Sequence, residues 1–275
     1  MNGKDIRLIA LDLDGTLMGP DHVTVSAANR AALRAAHDKG VAVAVATGRT
    51  LSILGDVCEQ VPQIDYILYS NGAAAAKRSG EVLYENALSW PEAERLLDYF
   101  DRCPVFLEVY AGGVSYAQAD KERFFPHGVF PKIFVEEALK GMTVVESFRA
   151  ALRGRPVEKF TVYIPDPALL RAVWNELAAD DSLAVTSSFP ISIDVTKAGA
   201  DKGAALRGLR ESLGLLPAQC VAFGDAENDV PMLQAAGIGV AMGNASDVCK
   251  AAADFVTKSN AEDGVALALR ALLDL

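Results

Sequence analysis

The sequence predicts an α/β protein: a doubly wound parallel-sheet core domain built from both ends of the chain, with a second α/β domain inserted between them. Three observations lead there. At 275 residues and roughly 150 residues per domain, the chain has room for about two domains. Short apolar runs alternate with helical stretches at the start and again after about residue 201, the rhythm of a parallel sheet covered by helices. The block between them lacks that rhythm, yet holds all but two of the eleven phenylalanines and both tryptophans, enough for a core of its own.

Taken in order, residues 8–13 form an apolar run that ends in Asp14-Gly15, as a buried strand does. Ser26 is a natural N-cap for a helix reaching residue 39, and Gly40 follows its end. A second buried strand at 41–46 is broken by Thr47-Gly48-Arg49. A helix at 51–60 and a third strand at 66–69, stopped by Ser70-Asn71-Gly72, complete the first half. Residues 73–84 read as a hairpin turning at Ser79-Gly80. Mixed elements follow to about 190: a helix from Pro91, strands at 105–110 and 158–164, and a helix at 167–178. Helix 201–213, strand 220–223, helix 228–236, strand 238–241, helix 246–253, strand 254–256 and helix 262–273 close the chain. Residues 1–83 and 191–275 are thus expected to make a Rossmann-like core, and 84–190 the insertion.

Composition narrows the partners. Apolar residues make up 51%, too many for disorder, and the net charge is −10. No polybasic surface is foreseen, so neither nucleic acid nor anionic membrane is an expected partner. No apolar run approaches a membrane span, and the start of the chain lacks a signal-peptide pattern, so the expected location is cytoplasmic. The four cysteines are widely spaced and read as free thiols.

The sharpest chemical feature is Asp12-Leu13-Asp14-Gly15-Thr16. Two carboxylates two apart, leaving the carboxyl end of a strand, point the same way, where open parallel sheets place their sites. One can attack while the other handles a proton, provided that a cation offsets their repulsion. The bland reading is a polar turn. A calcium loop starting at Asp12 would need Gly and Glu where Leu17 and Val23 stand. Gly224-Asp225-Ala226-Glu227-Asn228-Asp229 opens a helix after another strand, so Asp225 can join Asp12 and Asp14 around a hard cation such as Mg²⁺. The same acids would also serve simply as a helix cap. Thr47-Gly48-Arg49 offers a hydroxyl and backbone N–H groups to a phosphate. Lys202, at a helix start where a cation is slightly unfavourable, is either recruited to a task or merely solvated. No P-loop, G-x-S-x-G elbow or histidine metal spacing is present.

Asp12-Leu13-Asp14-Gly15-Thr16, Thr47-Gly48-Arg49, Lys202-Gly203 and Gly224-Asp225 to Asp229 together resemble the four ordered motifs of the haloacid dehalogenase superfamily. Ser70-Asn71-Gly72-Ala73, the insertion after the second motif, and Gly243-Asn244-Ala245 are similar to the Cof-type phosphatases, which carry a large α/β cap domain. The resemblance covers the whole chain. It implies that Asp12 is the nucleophile and forms an aspartyl-phosphate, while Asp14 protonates the leaving oxygen and then activates water. It implies Mg²⁺ held by Asp12, the main-chain carbonyl of Asp14, and Asp225. Thr47, Gly48 and Lys202 would hold the phosphoryl group, Asn228 would touch it, and Asp229 would orient Lys202 or metal-bound water. Crowding beside Asp12 and desolvation under a closed cap are expected to raise the Asp14 pKa.

Substrate choice is expected to lie in the inserted domain, which would close as a lid; Tyr110, Tyr116, Arg123 and His127 are the candidates there to face the leaving group, the alternative for each being ordinary surface or cap core. The implied partner is a small phosphorylated metabolite, a sugar phosphate or a phosphorylated cofactor, acted on by a monomer or small homo-oligomer. Two alternatives stand beside hydrolysis: a phosphosugar mutase on the same scaffold, and a phospho-acceptor module without turnover. A receiver-like module of about 120 residues would have no inserted domain.

Overall fold

The computed structural model describes residues 5–119, 141–187 and 190–275. In chain order the strands are β1 (Leu8–Asp12), β2 (Ala42–Ala46), β3 (Ile64–Tyr69), β4 (Ala74–Lys77), β5 (Val82–Glu85), β6 (Phe106–Ala111), β7 (Val114–Gln118) and β8 (Met142–Val145). They continue with β9 (Lys159–Tyr163), β10 (Leu183–Thr186), β11 (Ser192–Lys197), β12 (Cys220–Gly224), β13 (Ile238–Ala241) and β14 (Phe255–Val256). The helices are α1 (Ala27–Asp38), α2 (Gly55–Gln60), α3 (Trp90–Phe100), α4 (Phe148–Leu152), α5 (Pro167–Ala178), α6 (Lys202–Ser212), α7 (Val230–Ala235), α8 (Asp247–Ala252) and α9 (Gly264–Leu273). They fall into two units. One comprises Met1–Arg49, Leu54–Glu85 and Asp201–Leu275, the other Thr50–Ile53 and Asn86–Ala200.

In the first unit the sheet order is β14-β13-β12-β1-β2-β3-β4-β5, parallel from β14 to β3 and closed by the antiparallel hairpin β4–β5. The chain moves outward from β1 through β2 to β3, and outward the other way from β12 through β13 to β14. Right-handed crossovers running in opposite directions put their helices on opposite faces. α1 packs with α9, and α6 packs with α7. Both faces are therefore covered, which is why β1 reads Leu-Ile-Ala-Leu with no polar alternation and all four side chains are fully buried. The reversal falls between β1 and β12, so their carboxyl ends, Asp12 and Asp225, flank the point at which open α/β sheets place ligands. Ser26 caps α1 by accepting from the Asn29 N–H (3.1 Å), and Asp201 caps α6 by accepting from the Ala204 N–H (2.7 Å).

The second unit is built on the sheet β10-β11-β9-β6-β7-β8, antiparallel except for β7–β8. Its two faces differ. Leu107, Val109, Phe160, Val162, Ile193 and Val195 enter one core with Leu96, Leu97 and Phe100 of α3 and Val173 and Leu177 of α5. The opposite face carries a row across three strands in register, Glu108–Thr161–Asp194, with Tyr110 beside Lys159 in the next row. All five side chains are buried.

This sheet extends beyond the expected end of the insertion at 190. β11 alternates Ser192, Asp194 and Thr196 with Ile193 and Val195, a period-two strand that pairs β9, and the first unit resumes only at Asp201. The single helix expected at 51–60 is divided. Leu51–Ile53 is one turn whose Ser52 N–H donates to the Gly113 carbonyl of the second unit (3.0 Å), and α2 begins at Gly55. Among the described residues, no helix is long and apolar enough to cross a membrane.

Candidate active site

β1 ends in Asp12, and the loop Leu13–Leu17 that follows is closed by the Met18 N–H donating to the Leu13 carbonyl (2.9 Å). Gly15 in that loop has φ +86°, and a Cβ there would lie 2.4 Å from the Asp225 carboxylate, so only glycine lets the loop approach β12 this closely. The neighbouring Thr16 hydroxyl donates to Asp225 Oδ1 (2.8 Å). The Asn244 amide holds the loop from the other side, donating to the Gly15 carbonyl (2.8 Å).

Lys202, the first residue of α6, is buried, and its ammonium lies 2.6 Å from both Asp12 Oδ1 and Asp229 Oδ1. Asp229 is fully buried, and its Oδ2 accepts from the Asp225 and Ala226 N–H groups (2.9 and 3.0 Å). Carboxylate oxygens of Asp12, Asp225 and Asp229 lie within 4.8 Å of one another. Burial alone would lower the Lys202 pKa, but the two facing carboxylates outweigh it and hold it above the ordinary lysine value. Asp12 is pushed well above the usual carboxylate range, by burial first and by repulsion from Asp229 second. Burial likewise raises Asp225, against the opposing hydrogen bond from Thr16. Two carboxylates pair with one ammonium and a third stands beside them, an oxygen-lined donor set that fits a hard divalent cation such as Mg²⁺.

The carboxylate of Asp14 turns elsewhere. Arg49 grips it in a two-pronged ion pair, Nε to Oδ2 at 3.0 Å and Nη2 to Oδ1 at 2.6 Å, and His22 Nδ1 lies 3.2 Å from Oδ1. The crowding of Asp14 against Asp12 expected from strand alternation is absent at the side-chain level, because the residue between them, Leu13, already leaves extended geometry and Asp14 meets a cation supplied by the β2 loop. Thr47 follows Ala46, the residue in register with Asp12. Its side chain is buried and its hydroxyl accepts from the Arg49 N–H (3.1 Å). Gly48 completes that loop. Asn228 is exposed in the turn Glu227–Asp229.

The structure thus gathers Asp12, Lys202, Asp225 and Asp229 into one hydrogen-bonded cluster, with Thr47 and Gly48 at the end of the adjacent strand. Thr16, Arg49, His22 and Asn244 were not assigned roles from sequence. Arg49 and Asn244 were signalled only by their place inside recognised motifs, and His22 by nothing local. In the second unit, Tyr110 lies on the polar sheet face, whereas Tyr116 accepts from Arg155 (3.1 Å) and packs against the apolar core. Arg123 and His127 lie outside the described residues.

Comparison with known proteins agrees with this geometry. The haloacid dehalogenase-like hydrolase family matches residues 9–269. The 5-amino-6-(5-phospho-D-ribitylamino)uracil phosphatase YcsE of Bacillus subtilis is 34% identical over 97% of this chain and 95% of its own length. An HMP-PP phosphatase of Cronobacter sakazakii is 32% identical, over 87% and 85%. Among solved structures, a haloacid dehalogenase-like hydrolase from B. subtilis superposes with a TM-score of 0.81 at 29% identity, covering 96% of this chain and 99% of that one. The subclass IIB sugar phosphatase BT4131 does so at 0.78 and 26%, covering 98% and 100%. With the match spanning all but the ends of the chain, the protein belongs to the haloacid dehalogenase-like hydrolases and is a phosphatase of that family.

Proposed function

We propose that the enzyme hydrolyses a small phosphomonoester by way of an aspartyl-phosphate on Asp12. The observation that carries this reading is the buried Lys202 held between Asp12 and Asp229, with Asp225 beside them at the topological switch of the sheet. Attack by a carboxylate on a phosphate dianion meets like-charge repulsion, and positioned cations oppose it. Asp12 attacks phosphorus through one carboxylate oxygen, and the P–O bond to the leaving alcohol breaks as Asp14 donates its proton to that oxygen. Water then attacks the aspartyl-phosphate, giving up a proton to Asp14 and releasing inorganic phosphate with Asp12 restored. Lys202 stabilises charge on the phosphoryl oxygens, and Thr47 and Gly48 bind them. Asp12, Asp225 and the main-chain carbonyl of Asp14 would hold Mg²⁺, which supplies Lewis-acid stabilisation of the transferring phosphoryl group. The ion pair from Arg49 and His22 to Asp14 must loosen for that carboxyl to act, as active-site hydrogen bonds commonly rearrange in the substrate complex.

We place selectivity for the remainder of the substrate in the second unit. A sheet face bearing Glu108, Tyr110, Lys159, Thr161 and Asp194 offers both donors and acceptors, the pattern that suits a hydroxyl-rich leaving group. Sugar and sugar-alcohol phosphates are therefore the first substrates to test, and the ribityl phosphate and sugar phosphate named for two of the relatives are of that kind.

The test is phosphate release from a panel of sugar phosphates, polyol phosphates and phosphorylated cofactors, with and without Mg²⁺. Metal-dependent release that falls at least about 10⁴-fold in Asp12→Asn is expected. Absence of release from every ester by folded, metal-supplied enzyme would overturn the reading. Label retained on a sugar without free phosphate would favour a mutase, and a long-lived phosphoprotein would favour a phospho-acceptor.

A further inference from the structure

The turn Ser70–Gly72 takes no part in the chemistry above, yet it has an unusual backbone. Three successive residues are left-handed, with φ of 52°, 58° and 86°, and only the last is glycine. Chain reversal does not demand this. Tyr69 pairs with Ala74 in the antiparallel register, leaving a four-residue connection, and such connections are most often built on a type I turn, whose two central residues both have negative φ. A non-glycine left-handed backbone persists only where its surroundings hold it.

Those surroundings are the phosphoryl-binding elements. The Ser70 N–H donates to the Arg49 carbonyl (3.0 Å) and the Asn71 N–H to the Thr47 carbonyl (3.1 Å), which stitches the turn to the Thr47 loop. On its other side, Gly72 abuts the opening of α6, where a Cβ would fall 2.2 Å from the Asp201 carbonyl oxygen and 2.6 Å from the Lys202 nitrogen. The Asn71 carboxamide is wedged against Gly48, since a Cβ at 48 would lie 2.7 Å from Asn71 Oδ1. That oxygen is buried and has no hydrogen-bond partner among the described residues, a cost that stability of the fold does not explain.

We propose that Ser70–Gly72 is a rigid brace that fixes the separation between the Thr47 and Gly48 loop and Lys202, with Asn71 and Gly72 as positioning residues for phosphoryl binding. The inference rests on the phosphatase reading, because that separation matters only if both arms grip one phosphoryl group. It concerns the phosphate grip.

The test compares Asn71→Gly and Gly72→Ala with the unaltered enzyme, using p-nitrophenyl phosphate as substrate, inorganic phosphate as competitive inhibitor and Mg²⁺ as activator. Asn71→Gly accepts the left-handed backbone and removes only the wedge, so KM and the phosphate inhibition constant should both rise by about tenfold, with the Mg²⁺ activation constant unchanged. Gly72→Ala pushes on the start of α6, and kcat/KM should fall about 100-fold, the scale of a misplacement near 1 Å. If Gly72→Ala fails to fold, Asn71→Gly decides alone. Wild-type phosphate inhibition in Asn71→Gly, or wild-type kcat/KM in a folded Gly72→Ala, would overturn the brace. So would equal losses of phosphate and Mg²⁺ affinity, which mark general disruption. Failure of the unaltered enzyme to release phosphate would strike the phosphatase reading instead.

Discussion

The two sheets of this enzyme carry their polar residues in opposite ways. In the first unit the central strands β1, β2, β12 and β13 are apolar on both faces, and the candidate site residues sit where strands stop: Asp12 after Leu11, Thr47 after Ala46, Asp225 after Gly224. In the second unit Glu108, Tyr110, Lys159, Thr161 and Asp194 share one face of the strands. A parallel sheet covered by helices on both sides has no free face, so its chemistry is driven to the loops. An antiparallel sheet with one face on its apolar core can carry polar side chains on the other.

This contrast makes the first unit the more fragile. Lys202→Met should lower turnover about 10³-fold and stability by about 3–5 kcal/mol, because Asp12 and Asp229 are left as buried charges without their shared partner. Urea denaturation and phosphate release measure the two effects. A variant that keeps its denaturation midpoint would show that the buried cluster is not energetically coupled as the geometry demands.

Glu108→Gln should act more gently and on selectivity. KM for the preferred polyol phosphate is expected to rise by about tenfold while p-nitrophenyl phosphate turnover stays unchanged, since a lost hydrogen bond to a charged group is worth about 1.5–3 kcal/mol at most. Equal effects on both substrates would break the division of labour between the sheets. The same variant carries a pH signature. Burial raises the Glu108 pKa, with Asp194 adding to the rise and Tyr110 and Lys159 opposing it. An acid with a raised folded pKa holds its proton in the native state after the unfolded chain has lost it, so its contribution is complete below the ordinary carboxylate range and is lost as pH rises through the folded value. Denaturation midpoints of Glu108→Gln should therefore gain on those of the unaltered enzyme as pH increases.

The smallest expected effect concerns the thiols. Burial pushes Cys220 up to about 11 and Cys249 up to about 12. Iodoacetamide at neutral pH should leave both unmodified in the folded enzyme by mass spectrometry, and turnover unchanged. Rapid labelling of either would mean that the first unit opens locally far more than its packing implies.

How much of this was legible before folding follows the same division. Strand-end chemistry reads well because it is local: Asp12 and Asp14 follow one apolar run, Thr47 follows another, and Gly224-Asp225 follows a third. Face chemistry reads poorly. Glu108, Thr161 and Asp194 lie on three strands separated by more than thirty residues each, and only the register of β6, β9 and β11 makes them a row. Tyr110 was singled out as a residue, without that row to give it a setting. The insertion was expected to end at 190, yet the two-residue alternation of Ser192 to Lys197 is that of a strand with one polar and one apolar face, and β11 belongs to the second sheet.

By itself the sequence determined the α/β rhythm, the ends of the strands, and the residue types delivered there, since each depends on neighbours a few positions apart. Only the tertiary structure decided their company. It set the Lys202 ammonium, 190 residues from Asp12, between two carboxylates. It turned Asp14 away to Arg49 and His22, and wedged Asn71 between the loops. The physical reason is that hydrogen bonds and ion pairs act over about 3 Å, and which groups come that close is set by strand order and register, quantities to which the whole chain contributes at once.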